Sequence, residues 1–105
     1  MSYQHQELAA GRWFQMTLAE QLGNVGSEYS RAVNWAKKDA GLFHGALTRY
    51  LELLDLTIND PRWGSNRKKE FLRLREKSCE ELIDGGTQNF QKYFDQFALL
   101  ARKSR

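Results

Sequence analysis

The chain has 105 residues, of which 41% are hydrophobic and 28% charged, and its net charge is +3. This size suits one domain, 1–105, and the composition excludes a disordered chain, a collagen-like chain and a disulfide scaffold. No apolar run approaches the ~20 residues of a membrane-spanning helix, and the first residues lack the basic start and apolar core of a signal peptide. The single cysteine cannot form an internal disulfide, so we expect a cytoplasmic protein without membrane association.

Glycine, proline and short polar stretches divide the chain into four segments with helical periodicity. The breaks fall at 39–41, 59–66 and 84–86. No segment shows the alternation of a half-buried strand. The first long helix is predicted to begin near Thr17, because Thr17 and Glu20 have the spacing of a capping box. Residues 1–16 form either a lead-in or an extension of this helix.

A row of small side chains follows the first helix beside its apolar face. It consists of Ala19, Gly23, Gly26 and Ser30. Each interior glycine costs a helix roughly 1 kcal/mol relative to alanine, so we expect the backbone of another helix to approach this row closely. The side of the helix opposite its apolar face carries Arg31, Trp35 and Lys38.

The second helix is predicted over about 42–58. Its apolar face is formed by Phe43, Leu47, Tyr50, Leu51, Leu54 and Ile58. Leu42, Leu53 and Leu56 fall outside this arc, and Leu56 above all is expected to point outward. Such a broad apolar surface is typical of a helix that is central or has a second partner.

The third helix is predicted to begin at Ser65 or Asn66 and to end at about Asp84. Its core positions are Phe71, Leu74, Ser78, Cys79, Leu82 and Ile83. Arg75 falls in the middle of this face, so it either pairs with a carboxylate or faces a ligand. The possible carboxylate partners on other helices are Asp55, Glu28 and Glu20.

The fourth helix follows Gly85 and Gly86, with Thr87 as its predicted cap. Its core stripe is formed by Phe90, Tyr93, Phe94, Phe97, Ala98 and Ala101, and a basic tail covers 102–105. Leu99 points away from the stripe. Because the connecting loops are short, we predict an all-α, up-down-up-down antiparallel four-helix bundle.

The residues that carry catalytic chemistry are few. His44 lies on a helix flank, and Cys79 is predicted to be a buried structural thiol. The chain has no paired histidine or cysteine motif for a metal and no glycine-rich phosphate loop. We therefore expect a protein that is not an enzyme, with no catalytic residue, no metal, no cofactor and no small-molecule substrate.

Basic residues concentrate in the second half, where 61–105 holds eleven basic and six acidic side chains. Mixed cationic and aromatic groups of this kind bind phosphates and stack on bases. The candidate nucleic-acid-binding residues are Arg31, Trp35, Lys38, Arg62, Trp63, Arg67, Lys68, Lys69, Arg73 and Lys77. The alternative is a solvated helix face on which Glu76, Glu80 and Glu81 pair with Arg73 and Lys77.

Three apolar residues predicted to face outward indicate contact with another subunit or another protein. They are Trp35, Leu56 and Leu99, of which Leu56 and Leu99 are the candidate interface residues. A homo-oligomer is the expected form of this contact.

Two sequence blocks, 18–28 (LAEQLGNVGSE) and 51–63 (LELLDLTINDPRW), carry a resemblance to a known family. With its size, helix count and basicity, the chain resembles small bacterial four-helix-bundle proteins. These include the 23S rRNA intervening-sequence proteins and the accessory variability proteins of diversity-generating retroelements. The resemblance implies a basic, oligomeric scaffold that binds a reverse transcriptase and its RNA or DNA. That family has no short motif from which site residues can be transferred.

The favoured function is therefore a non-enzymatic oligomeric adaptor whose basic surface touches nucleic acid or a nucleic-acid enzyme. One alternative is a protein-interaction module, such as an antitoxin-like subunit, that does not bind nucleic acid. Another is a divergent helical ribonuclease that uses His44 and Arg49. The chain departs from the pattern of such ribonucleases, because no arginine precedes either histidine at the required distance.

Overall fold

The computed structural model describes residues 11–84 and 90–103, and within these ranges the chain is helical without a strand. A short 3-10 helix, Arg12–Gln15, precedes four α-helices, so the prediction of an all-α, four-helix chain is confirmed. The helices are α1 (Leu18–Trp35), α2 (Ala40–Ile58), α3 (Ser65–Asp84) and α4 (Gln91–Lys103). The predicted cap Thr87, most of the lead-in and the end of the basic tail lie outside the described residues.

The start of α1 is fixed by the predicted capping box. The Glu20 backbone N–H donates to Thr17 Oγ1 at 3.1 Å, and the Thr17 N–H donates to Glu20 Oε1 at 2.9 Å. Two of the N–H groups that a helix start leaves unpaired are thus satisfied. The start of α2 is capped by Asp39, whose carboxylate accepts from the Leu42 N–H at 3.0 Å.

Helix α1 packs against both α2 and α4, and α3 packs on α2. The row of small residues on α1 is where α4 approaches. A methyl group on Gly23 would lie 3.5 Å from Ala98 Cα, and one on Gly26 would overlap the Phe94 side chain. The expected close approach of another helix is therefore confirmed, and Phe94 enters the core because Gly26 has no side chain.

The core is rich in aromatic residues. Tyr29, Tyr50 and Phe94 are buried, with ring centroids 5.3 to 6.0 Å apart. Burial raises the pKa of Tyr29 to about 12, although the Phe90 N–H bonded to its hydroxyl opposes the shift. The Tyr50 hydroxyl lies 2.6 Å from Ser78 Oγ on α3, and the Tyr29 hydroxyl donates to Glu81. These polar contacts join α3 to the other helices at the core.

Three placements predicted from periodicity are wrong. Leu56, expected to point outward, is only 4% exposed, because α2 contacts α1 on one side and α3 on another. Ile83, expected in the core, is 63% exposed, since α3 packs along a narrow face and Leu82 occupies the inward position in the last turn. Cys79, expected to be buried, is half-buried, because only a narrow face of α3 packs against the other helices.

Substitution of the two glycines of α1 tests the approach of α4. Gly26→Ala places a methyl group against Phe94 Cγ at 2.9 Å, and overpacking of this kind should lower the free energy of unfolding by about 1–3 kcal/mol. Gly23→Ala meets only ordinary contacts and gains helix propensity, so its free energy of unfolding should stay the same or rise by up to ~1 kcal/mol. Urea unfolding measures both. Equal stability of the two variants would contradict the close approach at Gly26.

Candidate nucleic-acid interface

A groove of about 620 Å³ runs between α3 and α4. Its walls carry three cations, one carboxylate, two aromatic rings and two further side chains. The lining residues are Lys69, Arg73, Lys77, Glu70, Phe90, Tyr93, Asn66 and Leu74. Three of the ten residues proposed from sequence as nucleic-acid contacts therefore meet in one place, beside Tyr93 of α4 and Phe90, which directly precedes that helix.

The carboxylate of the groove is already engaged. Glu70 accepts a hydrogen bond from the Tyr93 hydroxyl at 2.7 Å, and the Arg67 guanidinium lies 3.5 Å from its other oxygen. Burial raises the pKa of Tyr93, and the hydrogen bond to Glu70 raises it further, so the phenol stays a donor. The Tyr93 ring is thereby fixed at the wall of the groove with its hydroxyl directed at α3.

The cations of the groove are not neutralised within the described part of the chain. No described carboxylate forms an ion pair with Lys69, Arg73 or Lys77. Of the carboxylates that the solvated-face alternative names, Glu76 and Glu80 form no ion pair with Arg73 or Lys77 in the described ranges, and Glu81 accepts from the buried Tyr29 hydroxyl at 2.9 Å. The first turn of α3 contains no acidic residue, so the positive end of the helix dipole adds to the potential of the groove.

Arg67 and Lys68 stand beside the groove at the start of α3. Arg67 is half-exposed and reaches Glu70, and Lys68 is half-buried. Neither lines the groove itself. They contribute charge near the site but are not placed to contact a ligand within it.

Arg62 and Trp63 serve the fold, and they do not line this groove. The Arg62 guanidinium binds the buried carboxylate of Asp60 at 2.7 Å and lies 4.4 Å from the centroid of the Trp63 ring. The Trp63 indole N–H donates to Gln21 Oε1 at 2.9 Å. One edge and one face of the Trp63 ring are therefore engaged within the chain.

Sequence reasoning missed the buried polar residue at the centre of this arrangement. Gln21 has no exposed surface, and its amide donates to the Trp13 carbonyl and to Asp60 Oδ2, both at 2.9 Å. Trp13 in turn donates its indole N–H to Thr57 Oγ1 at 3.2 Å. Because glutamine is polar, the pattern of apolar residues does not include Gln21 in the apolar face of α1. Its helical position beside Leu22 and Val25 nevertheless places it on that face.

The third group of candidates lies elsewhere on the surface. Arg31 pairs with the buried Glu28 at 2.7 Å, and Lys38 donates to Asn34 at 3.2 Å. Trp35 is half-buried, so it is less exposed than its sequence position suggested. Lys38 lines a depression between the ends of α1 and α3, which is distinct from the groove between α3 and α4.

The remaining candidates are accounted for individually. Arg75 pairs with Asp55 at 2.8 Å, as one of the predicted options required, and both side chains are over a third exposed, so the pair contributes at most about 1 kcal/mol. Leu99 is 54% exposed, as expected. His44 is exposed, whereas Arg49 is held by Glu28 at 3.1 Å.

Comparison with protein-family models, with curated proteins and with solved structures gave no match. No group of three or more histidine, cysteine or acidic side chains is arranged for a metal ion among the described residues. None of the helices in 11–84 and 90–103 has the length and apolar character needed to cross a membrane.

Acid titration tests the pairing of Asp60. Burial by itself would raise the pKa of Asp60, but hydrogen bonds from Arg62 and Gln21 outweigh it and lower the pKa from 3.8 to about 2. A carboxyl group whose pKa is lower in the folded chain stabilises the fold above its unfolded pKa and loses that contribution as the pH falls through the folded value. The free energy of unfolding should therefore drop by about 2 kcal/mol from this group between pH 4 and pH 2.

Asp60→Asn should remove this part of the acid dependence, as measured by urea unfolding near neutral pH and at a pH of about 2. Asp84→Asn, which changes an exposed carboxylate, is the matched control and should keep it. An acid dependence in Asp60→Asn as steep as in the unchanged protein would show that the Asp60 pairing is not what acid disrupts.

Proposed function

We propose that this protein is a non-enzymatic adaptor that binds single-stranded RNA or DNA along the groove between α3 and α4. The observation that carries the proposal is the meeting of three uncompensated cations with two aromatic rings in one groove. Phosphate binding and base stacking are the two interactions that bind single strands without sequence preference. The groove has side chains for both.

The spacing of the cations suits a strand that lies along α3. Lys69, Arg73 and Lys77 are four residues apart, so their attachment points advance by about 6 Å at each step. This advance is of the order of the distance between neighbouring phosphates in an extended strand. A strand lying along α3 would then place its bases toward α4, where Phe90 and Tyr93 stand.

The engaged state of Glu70 supports the same function. A free carboxylate in the groove would repel phosphates, but here its charge is shared with the Tyr93 hydroxyl and with Arg67. The groove thus keeps an excess of positive charge toward solvent. Unpaired like charges held close together repel one another, and a polyanion relieves that repulsion.

The helix arrangement that we infer is the up-down-up-down antiparallel bundle. It is supported by contacts in which residue numbers fall on one helix as they rise on its neighbour. Between α1 and α2 with the turn that follows it, such contacts join Gln21 to Asp60 and Glu28 to Arg49. Between α1 and α4 they join Ser30 to Gln91 and Gly23 to Ala98. This arrangement would run α3 and α4 side by side, which forms the groove.

The wider role that we propose follows the resemblance to the accessory variability proteins of diversity-generating retroelements. That resemblance implies a cytoplasmic, self-associating scaffold that binds a reverse transcriptase and its RNA or DNA, and a groove that binds single strands without sequence preference suits such a scaffold. A reverse transcriptase is therefore the partner class that we propose.

The two alternatives make different demands on the surface. A protein-interaction module needs an exposed apolar face, and Leu72 and Ile83 of α3 are both exposed. A ribonuclease built on His44 and Arg49 is less favoured, because five residues on a helix separate the two side chains by about 140° around the axis. Arg49 is moreover bound to Glu28.

Salt dependence of binding tests the proposal with a matched pair of variants. Counterion release makes the affinity for a labelled single-stranded oligonucleotide fall linearly with salt on logarithmic axes, and each phosphate contact adds about 0.7 to the slope. Lys69→Ala/Lys77→Ala should therefore reduce the slope by about 1.4, as measured by fluorescence anisotropy. The control, Lys37→Ala/Lys103→Ala, removes two exposed lysines outside the groove and should leave the slope nearly unchanged.

Equal effects of the two double variants would mean that binding depends on net charge alone and would contradict the groove. No binding by the unchanged protein at low salt would remove the proposal altogether. Tyr93→Leu and Tyr93→Phe separate stacking from hydrogen bonding, since only the first removes the ring. Tyr93→Phe should lower the affinity slightly, because it frees the Glu70 carboxylate, and Tyr93→Leu should lower it further, because it also removes the ring. Equal losses in the two variants would contradict stacking on the Tyr93 ring.

A further inference from the structure

The outer face of α3 carries a stripe that no other described element covers. Leu72, Glu76, Cys79 and Ile83 follow one another at spacings of four, three and four residues, which is the alternation of a coiled-coil seam. Leu72 is 54% and Ile83 63% exposed, and Cys79 is half-buried. These four residues are called the α3 stripe.

The α3 stripe borders a shallow depression of about 430 Å³ that also contacts Arg75 and Glu80. At its end, Ile83 belongs to a second depression that it shares with Val33, which is 42% exposed. The exposed apolar residues of α3 therefore lie next to an exposed apolar residue near the end of α1. Seams of this kind bind the side chains of a partner helix between their own.

We propose that the α3 stripe is the interface of a homodimer in which α3 packs antiparallel against α3 of a second copy. The proposal rests on the self-association part of the proposed function and does not require that the groove binds nucleic acid. The argument for a second copy is that the stripe is complementary to itself in this one direction.

When the two α3 helices pack antiparallel with the two-fold axis between Lys77 and Ser78, the stripe residues of the two copies face one another in fixed pairs. Leu72 of one copy then faces Ile83 of the other, so the most exposed apolar residues cover one another. Glu76 of one copy faces Cys79 of the other. Parallel packing would instead bring Glu76 against Glu76, and two like charges face to face oppose association.

The charges beside the stripe favour the same direction. Arg73 and Glu80 are both exposed and lie on the same flank of the stripe. Antiparallel helices bring equal flanks together, so Arg73 of each copy meets Glu80 of the other, and the ion pair occurs twice. Because Arg73 also lines the groove, phosphate binding in the dimer would depend on Lys69 and Lys77, the two residues changed in the salt test. On the opposite flank Arg75 is already paired with Asp55 of its own chain at 2.8 Å.

Sedimentation of the protein without nucleic acid tests the dimer. We expect twice the 12.3 kDa chain mass for the unchanged protein. Leu72→Glu should give the monomer mass, whereas Leu99→Glu, which changes an equally exposed leucine on α4, should remain a dimer. Because both leucines are half-exposed, circular dichroism should show unchanged folding in both variants. A monomer at every concentration, or a dimer that only Leu99→Glu disrupts, overturns the proposal.

A charge exchange tests the direction of packing. Glu80→Arg should weaken the dimer by at least tenfold in dissociation constant, because it places two arginines together at each flank. Arg73→Glu/Glu80→Arg should restore it, since the pair is exchanged on both copies. Failure of the double variant to restore association overturns the antiparallel register.

The single cysteine provides an independent test of the interface. Packing along the α3 stripe brings the two Cys79 Cα atoms to within about 8 Å, which is within the span of a short bismaleimide reagent. A cross-linked dimer is expected from the unchanged protein, and its absence would overturn the proposal. Since these measurements use no nucleic acid, their failure leaves the test of the groove intact.

Discussion

The close approach of α4 to α1 at Gly26 is the constraint on which the rest of the structure depends. A side chain at this position would collide with Phe94, so its absence lets Phe94 join Tyr29 and Tyr50 in the core. Once Phe94 points inward, its neighbour Tyr93 must point sideways toward α3, where it meets Glu70. The position of Tyr93 at the wall of the groove thus depends on the absence of a side chain at Gly26.

A second set of contacts holds α3 at the distance that leaves the groove open. Gln21 and Asp60 are buried, and they bind the Trp13 carbonyl, Arg62 and Trp63 at the turn before α3. Further along the helix, Ser78 and Glu81 bond the hydroxyls of two core tyrosines. Because its inner face is occupied by these bonds, α3 presents its lysines and Arg73 to one side and the α3 stripe to another.

Much of this could be predicted from sequence, because helix limits and caps depend on nearby residues. The capping box at Thr17, the end of α2 before Asp60 and the close approach at Gly26 follow from local spacing and from the cost of glycine in a helix. Burial was predicted less well. Periodicity gives the angle of Leu56 or Ile83 around its helix, but it does not say how many neighbours surround that helix, and α2 has more of them than α3.

The candidate site, too, could be predicted from the sequence only in part. The row of cations on α3 is visible in the sequence, but the contribution of Tyr93 and Phe90 depends on which helix lies beside α3. Arg62 and Trp63 fit the composition of a strand-binding surface, and only the position of Asp60 and Gln21 reveals that they serve the fold. Polar residues that are buried by a tertiary network carry no periodic signal of their own.

The central claim is that single-stranded nucleic acid binds in the groove between α3 and α4. The most direct measurement is an NMR titration of the labelled protein with a short single-stranded oligonucleotide at low salt. The account predicts that signals of Lys69, Arg73, Lys77, Phe90 and Tyr93 shift together and saturate. Shifts confined to the surface around Arg31, Trp35 and Lys38, or no shifts at all, would contradict it.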